Sequence, residues 1–294
     1  MPRIAYVNGR YLPHDEAAVH IEDRGLQFAD SVYEVVALID GHLADEKGHL
    51  DRLARSMDEL RIVPPMGRAP LRLAMRELVR RNRIDNAGLY IQVTRGVAAR
   101  YFAFPKDTPS SIIMTLRHAN YDIGPRKSAM KKIVSVPDIR WLRRDIKSTA
   151  LLAQVLARQI AVDERAHDAW MFDDKGFVTE GAASNAWIID SKKNLITRPA
   201  KGNSILKGVT RTALQELCKK QGVKFVERAF TLKEAYAAKE AFSSSAVALI
   251  APVSHIDGKM IGNGKIGPVT ETLFDLYMDY ANNVKTRQFA WDPK

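Results

Sequence analysis

Cysteine is nearly missing. Cys218 is the single one in 294 residues, which excludes an internal disulfide framework and any zinc ribbon or finger built on cysteine pairs. A reducing, cytoplasmic setting is the expectation. Long hydrophobic runs are missing as well: Met1 to Gly9 has no apolar stretch of signal-peptide length, and Ala246 to Val253, the longest conspicuous one, is too short to span a bilayer. No membrane partner is expected. The seven histidines, at 14, 20, 42, 49, 118, 167 and 255, form no H-E-x-x-H and no paired helical spacing, so no metal is expected.

Cations outnumber anions, with Lys and Arg at 45 against Asp and Glu at 34 and a net charge of +11. Such an excess suits either a phosphate backbone or small anions. There is no run of five or six cations, and the densest cluster, Arg143-Arg144-Asp145-Ile146-Lys147, is broken by an acid. The pattern favours small anions over nucleic acid. Hydrophobic residues at 46% and charged residues at 27% are the proportions of a globular protein, and the length fits one large or two ordinary domains.

Asn8-Gly9 and Asp40-Gly41 are the dipeptides of two-residue hairpin turns. Between them Val32–Ile39, rich in β-branched residues, predicts a buried strand. Leu50, Leu53, Met57 and Leu60 predict a helix over His49–Leu60, and a second helix is expected over Pro70–Arg83. Strands are expected at Gly88–Arg95 and Ser111–Leu116. The segment 120–125 combines turn residues with no apolar period and reads as a linker between a first domain at 1–119 and a second at 126–294.

In the second domain a strand is expected at Ile133–Val136. Ser148 or Thr149 is expected to cap a helix whose Leu152, Val155, Leu156 and Ile160 share one face. Hairpins around Asp173–Gly176 and between Asn185–Asp190 and Asn194–Thr197, then a helix over Val209–Lys220, complete an α+β reading. Cys218 shares a helix face with Leu214 and Leu217 and reads as a small buried hydrophobe. Gly262-Asn263-Gly264-Lys265-Ile266-Gly267 matches G-x-G-x-x-G but follows a hairpin signal, Asp257-Gly258. It reads as a loop leading to a helix at Pro268, not as a dinucleotide site.

Three segments carry chemistry. Lys147 lies between an expected strand and an expected helix cap, with Arg143 and Arg144 close in sequence; like charge there would favour a neutral, nucleophilic amine. Glu180, in Val178-Thr179-Glu180-Gly181, sits at a strand end. Gly208-Val209-Thr210 opens a helix, where free N–H groups and a hydroxyl can hold a phosphate.

These three linked motifs resemble the fold-type IV pyridoxal-phosphate enzymes, the family of D-amino acid aminotransferases, branched-chain aminotransferases and aminodeoxychorismate lyases. Phe28 to Val36, His49 to Leu53 and Asp138 to Ser148 are similar to the signatures of the D-amino acid aminotransferase group within it. The resemblance implies two domains with the active site in the cleft between them, pyridoxal 5′-phosphate as cofactor and a homodimer. Lys147 is then the Schiff-base lysine that also moves the substrate proton, and Glu180 the partner of the cofactor's ring nitrogen. Arg52, Val209, Thr210 and Ser245 are implied to bind the cofactor phosphate, Tyr33 to lie beside Lys147, and Ser184 to hydrogen-bond near the ring.

One departure concerns the substrate carboxylate. Thr94 to Phe102 resembles a family loop in which an arginine and, two residues later, a histidine grip that group; Arg100 fits, and Phe102 stands in place of the histidine. A guanidinium alone can clamp a carboxylate with two parallel hydrogen bonds. The expected reaction is ping-pong transamination from a D-amino acid to a 2-oxo acid, 2-oxoglutarate or pyruvate. Alternatives within the family are a branched-chain L-amino acid or (R)-amine transaminase, or an aminodeoxychorismate lyase.

Overall fold

The computed structural model describes residues 3–122, 124, 128–221 and 223–282. The linker expected at 120–125 includes 123 and 125, which lie outside the described residues. The chain separates into two compact units. One holds the residues up to Asn120 together with Ile146–Ala150; the other holds Tyr121–Asp145 and Leu151–Tyr280. Ile146–Ala150, placed by its position in sequence within the second domain, thus belongs by its contacts to the first unit.

The first unit is built on a six-stranded antiparallel sheet of β1 (Ile4–Val7), β2 (Arg10–Pro13), β3 (Ser31–Ile39), β4 (His42–Leu43), β5 (Ala87–Thr94) and β6 (Ser111–His118), in the order β2-β1-β6-β5-β3-β4. Both predicted tight turns form, with positive φ at Asn8, Gly9, Asp40 and Gly41, because a type I′ turn matches the twist of the strands it joins. The short helix α1 (Arg24–Phe28) is capped by the Asp23 side chain. Along β3, side chains alternate between faces. Val32, Val36 and Leu38 enter the core with Leu50, Leu53 and Met57 of α2 (Glu46–Glu59) and Leu71, Met75 and Leu78 of α3 (Arg68–Asn82). Tyr33 and Val35 take the opposite, half-buried face.

The second unit carries a nine-stranded mixed sheet. Its strands are β7 (Lys131–Pro137), β8 (Asp168–Phe172), β9 (Val178–Gly181), β10 (Asn185–Ile189), β11 (Leu195–Thr197), β12 (Phe225–Glu227), β13 (Glu240–Ser245), β14 (Leu249–Ile256) and β15 (Lys259–Met260). They run in the order β12-β11-β10-β13-β14-β7-β8-β9, with β15 paired to β14. Helices α4 (Leu152–Asp163), α5 (Val209–Gln221), α6 (Leu232–Tyr236) and α7 (Pro268–Asn282) accompany the sheet. The loop Gly262–Gly267 leads into α7, whose first amides at Val269 and Thr270 donate to the Glu240 carboxylate. Cys218 is fully buried and unpaired, its thiol pushed up to about 11 by burial. No helix among the described residues is long and apolar enough to cross a membrane.

Two expectations about α4 need correction. It starts at Leu152, and neither Ser148 nor Thr149 caps it; the cap position is Leu151, with no side-chain hydrogen bond. Ser148 instead bridges Val32, and the Thr149 N–H donates to the Ser31 carbonyl at 3.1 Å, so both residues are taken up by β3. The expected apolar face of α4 is largely uncovered within the chain: Leu152, Val155, Leu156 and Ile160 are all exposed.

Candidate active site

In the first unit the backbone around Lys147 is fixed on both sides. The Tyr33 N–H donates to the Lys147 carbonyl at 2.9 Å, and the Lys147 N–H donates to Ser56 Oγ of α2 at 3.3 Å. The side chain is then carried over the half-buried face of β3, where Nζ lies 4.1 Å from the centroid of the Tyr33 ring. Tyr33 stacks on Tyr90 of β5 with centroids 5.7 Å apart. Burial, then the neighbouring Tyr33, push the Tyr90 hydroxyl up to about 12, so it stays a neutral donor to Gln92 Oε1 at 2.8 Å. The amine is thus held against an aromatic wall.

On the opposite face of β3, Glu34 is an acid among apolar neighbours. Its carboxylate takes Arg52 Nε at 2.6 Å on one oxygen and Arg52 Nη2 at 2.8 Å on the other, and His49 Nδ1 lies 2.8 Å from the second. Burial would raise this acid, but the Arg52 charge and hydrogen bond, with His49, outweigh it and hold the carboxyl at about 2. Arg52 is therefore oriented by a buried two-toothed ion pair.

Arg100 is exposed, with its guanidinium carbon 4.7 Å from the Phe28 centroid. Phe102, 82% exposed, packs its ring 5.5 Å from the same Phe28. The loop backbone is anchored by buried Arg24, which donates to the carbonyls of Tyr101 at 2.6 Å and Phe102 at 3.3 Å and to Asp30 at 2.8 Å.

In the second unit, Glu180 lies near the end of β9 and is buried. One oxygen accepts from Arg140 and from the Leu206 N–H at 3.2 Å; the other accepts from Asn185 Nδ2 at 3.0 Å. Burial pushes this acid up, and Arg140 pulls against it. The Asn185 amide also donates to the Leu206 carbonyl at 3.1 Å, tying Glu180 to the segment that leads into α5. A Cβ on Gly208 would collide with Asn185 Oδ1, so glycine is what lets this connection form.

At the start of α5, the N–H groups of Val209, Thr210 and Arg211 have no carbonyl a turn earlier to accept them. Thr210 Oγ1 is buried without a hydrogen-bond partner. Ser245, at the end of β13, accepts the Ala248 N–H at 3.2 Å and keeps its own hydroxyl proton to donate. Because Asn185 pairs with Ser244 across β10 and β13, this serine lies one residue beyond the Asn185 register. Glu180, the α5 N-terminus and Ser245 are thus brought to one end of the second unit's sheet. Ser184 turns elsewhere, its Oγ donating to Asp168 at 3.4 Å.

The profile of amino-transferase class IV matches residues 31–256. The chain belongs to the class IV aminotransferases. Its relatives include a D-alanine aminotransferase of Staphylococcus haemolyticus, 38% identical over 277 residues that cover 94% of this chain and 96% of the relative. A D-alanine aminotransferase of Bacillus licheniformis is 38% identical over 269 residues, covering 90% and 93%. Among solved structures, the branched-chain amino acid aminotransferase from Escherichia coli superposes with a TM-score of 0.86 at 22% identity, over 99% of this chain and 98% of its own. That from Thermobaculum terrenum, in its PLP-form, superposes with a TM-score of 0.83 at 23% identity, over 97% of this chain and 96% of its own. At such identity the likeness is one of fold.

Class IV aminotransferases use pyridoxal 5′-phosphate. The residues of this class IV aminotransferase fit that group: the buried, partnerless Thr210 hydroxyl beside the open amides of α5 is a cradle for a phosphate. Sequence reasoning missed Arg140, Glu34, His49 and Asn185. The signal for Glu34 was available, since an acid falls on the buried parity of an otherwise apolar strand. Arg143 and Arg144, expected to act on Lys147 by like charge, are engaged by acids: Arg143 with Asp145 at 3.0 Å, and Arg144 with Asp138 at 3.1 Å.

Proposed function

We propose that this enzyme moves the amino group of a D-amino acid to a 2-oxo acid, 2-oxoglutarate or pyruvate, with pyridoxal phosphate as cofactor. The observation that supports the donor most strongly is the pair of D-alanine aminotransferases at 38% identity across nearly the full chain. Bound in the enzyme, the cofactor supplies a sink for the electron pair left when substrate Cα loses its proton.

Each residue has a part. Lys147 Nζ would hold the cofactor through its aldehyde group and, as a free amine, would be the base that takes the proton from substrate Cα. Tyr33 limits the swing of that amine. Glu180 holds the ring nitrogen. The amides of Val209 and Thr210, the Thr210 and Ser245 hydroxyls and the Glu34-aligned Arg52 bind the phosphate. Ser184 acts through Asp168 rather than on the ring. Arg100 receives the substrate carboxylate. Donor and acceptor use one site in turn, which gives ping-pong kinetics.

The enzyme works as a homodimer in the cytoplasm. Support for the dimer is the uncovered row Leu152, Val155, Leu156 and Ile160 on α4, with Leu152 at 72% exposure. Support for the cytoplasm is the single unpaired cysteine.

Assays with D-alanine, D-glutamate, L-leucine and (R)-1-phenylethylamine, each with 2-oxoglutarate and pyruvate, test the reading. Turnover of D-alanine is expected, by a protein that binds pyridoxal phosphate and bleaches on addition of the donor. Activity on L-leucine with none on D-alanine overturns the donor assignment. A protein that never binds pyridoxal phosphate overturns the cofactor's part.

A further inference from the structure

Arg140 has no part in the reaction as described so far, yet it makes the buried charged contact at Glu180. Its guanidinium is gripped from the other side by Asp138, through Nε to Oδ1 at 2.9 Å and Nη2 to Oδ2 at 2.7 Å. The remaining nitrogen, Nη1, donates to Glu180 Oε1. Asp138 is in turn held by the Thr179 hydroxyl at 2.8 Å and by Arg144 Nε at 3.1 Å. Side chains of Asp138, Arg140 and Glu180 are all more than nine-tenths buried. Charges alternate along the row: Glu180 negative, Arg140 positive, Asp138 negative, Arg144 positive.

Such a row is costly to bury unless its charges are paired; here Asp138, Arg140 and Glu180 are hydrogen-bonded to one another, and Arg144 adds an ion pair without a hydrogen bond. Its geometry also has a chemical consequence. A carboxylate facing a pyridine nitrogen shares one proton with it, and the proton resides on whichever partner is more basic. A buried glutamate alone is a strong base and keeps the proton, leaving the ring neutral and a poor electron sink. A guanidinium donating to the same carboxylate weakens that base. It also helps to fix the carboxylate plane, together with Asn185 on one oxygen and the Leu206 N–H on the other.

We propose that Arg140, held in place by Asp138, is a positioning residue that keeps the proton shared between Glu180 and the cofactor ring on the ring nitrogen. The proposal rests on the reading of Glu180 as the ring-nitrogen partner. On balance burial leaves Glu180 raised, with Arg140 the largest pull in the other direction, whereas at Asp138 its neighbours, Arg140 foremost, overcome burial and hold the carboxyl low. Asp138 acts by keeping Arg140 from turning wholly onto Glu180 and by cancelling its charge.

The test loads the enzyme with pyridoxal phosphate labelled with nitrogen-15 in the ring and reads the ring resonance, alongside D-alanine kinetics. In the wild type the resonance is that of a protonated nitrogen. Arg140→Met is expected to move it toward the unprotonated position and to lower kcat by about tenfold or more. KM for D-alanine should stay within about threefold, because the interaction matters after binding. Arg140→Lys, which keeps the charge, should restore most of the wild-type resonance.

Arg140→Met strands Asp138, so the double variant Asp138→Asn, Arg140→Met removes both charges and serves as the folded control; it should show the same displaced resonance. A merely structural Arg140 would lower thermal stability or cofactor occupancy without moving the resonance of the bound fraction, and that result overturns the proposal. If Glu180→Gln moves the resonance while neither Arg140→Met nor the double variant does, only the proposal falls. If Glu180→Gln leaves it in place, the reading of Glu180 falls too.

Discussion

Glu34 holds the Arg52 guanidinium with both carboxylate oxygens, at 2.6 Å to Nε and 2.8 Å to Nη2. The ion pair is buried, and the acid titrates at about 2 against an ordinary value of 4.5. A folded-state value below the unfolded one means that the stabilisation is fully present above the ordinary carboxylate range and is lost as pH falls toward 2. The shift corresponds to about 3 kcal/mol. Acid unfolding followed by circular dichroism should show wild-type stability declining between pH 4.5 and 2, with that part of the slope missing in Glu34→Gln. At neutral pH the variant should be less stable by about 3 kcal/mol, because Arg52 loses its buried counter-charge. Parallel acid profiles for the two proteins would contradict the assignment.

The wall behind Lys147 makes a second prediction. Its nitrogen lies over the face of Tyr33, itself backed by Tyr90. What positions the amine is the ring, not the hydroxyl, so Tyr33→Phe should turn over D-alanine within about threefold of the wild type. Tyr33→Leu removes the flat surface, frees the lysine rotamers, and should lower kcat by about tenfold. A Tyr33→Phe loss as large as that of Tyr33→Leu would give the hydroxyl the larger part.

These positions differ in how visible they are in the sequence, for physical reasons. Strand β3 and its turn are local: β-branched residues and an Asp-Gly pair suffice, and the strand forms within one residue of its expected span. Ser148 and Thr149 look like helix caps because their side chains suit that role. Long-range pairing with Ser31 and Val32 takes them instead, and no local pattern carries that contact. The α4 periodicity correctly marks an apolar face but is silent on what covers it. Glu180 and the α5 start are legible because a strand end and a glycine before a helix are local features. Arg140 is not, since its partner Glu180 lies 40 residues away and only the folded sheet brings them together.

Thr210 gives a prediction of two opposite signs. A buried hydroxyl without a partner costs about 1–3 kcal/mol in the empty protein. Thr210→Val keeps the shape and removes that cost, so the apoenzyme should gain stability by about 1 kcal/mol while pyridoxal phosphate binds about tenfold more weakly. Thermal melting of the apoenzyme and a fluorescence titration with the cofactor measure the two. Weaker binding together with a less stable apoenzyme would mean that the hydroxyl has a protein partner.

The uncovered face of α4 bears on assembly. Leu152, Val155, Leu156 and Ile160 share one side of the helix, and charges placed there face water in a monomer but are buried in a dimer. If the proposed dimer uses this face, the wild type should sediment as a dimer and the double variant Val155→Glu, Ile160→Glu as a monomer with its circular dichroism spectrum preserved. A wild type that sediments as a monomer refutes the dimer, and a dimeric variant moves the interface elsewhere.

The proposed carboxylate-binding part of Arg100, with Phe102 beside it, makes the last prediction. Both rest on Phe28, and Arg24 fixes the backbone between them by donating to the carbonyls of Tyr101 and Phe102. Removing the Arg100 side chain therefore removes a charge without releasing the loop. If the guanidinium receives the donor carboxylate, Arg100→Ala should raise KM for D-alanine by about tenfold or more, as expected for a charge-assisted hydrogen bond. For (R)-1-phenylethylamine, which has no carboxylate, the change should be much smaller. Phe102→His adds a donor beside Arg100 and should lower KM for D-alanine without improving the amine. Equal effects of Arg100→Ala on the two donors would show that Arg100 serves the loop, and the carboxylate would then have to be held by another cation.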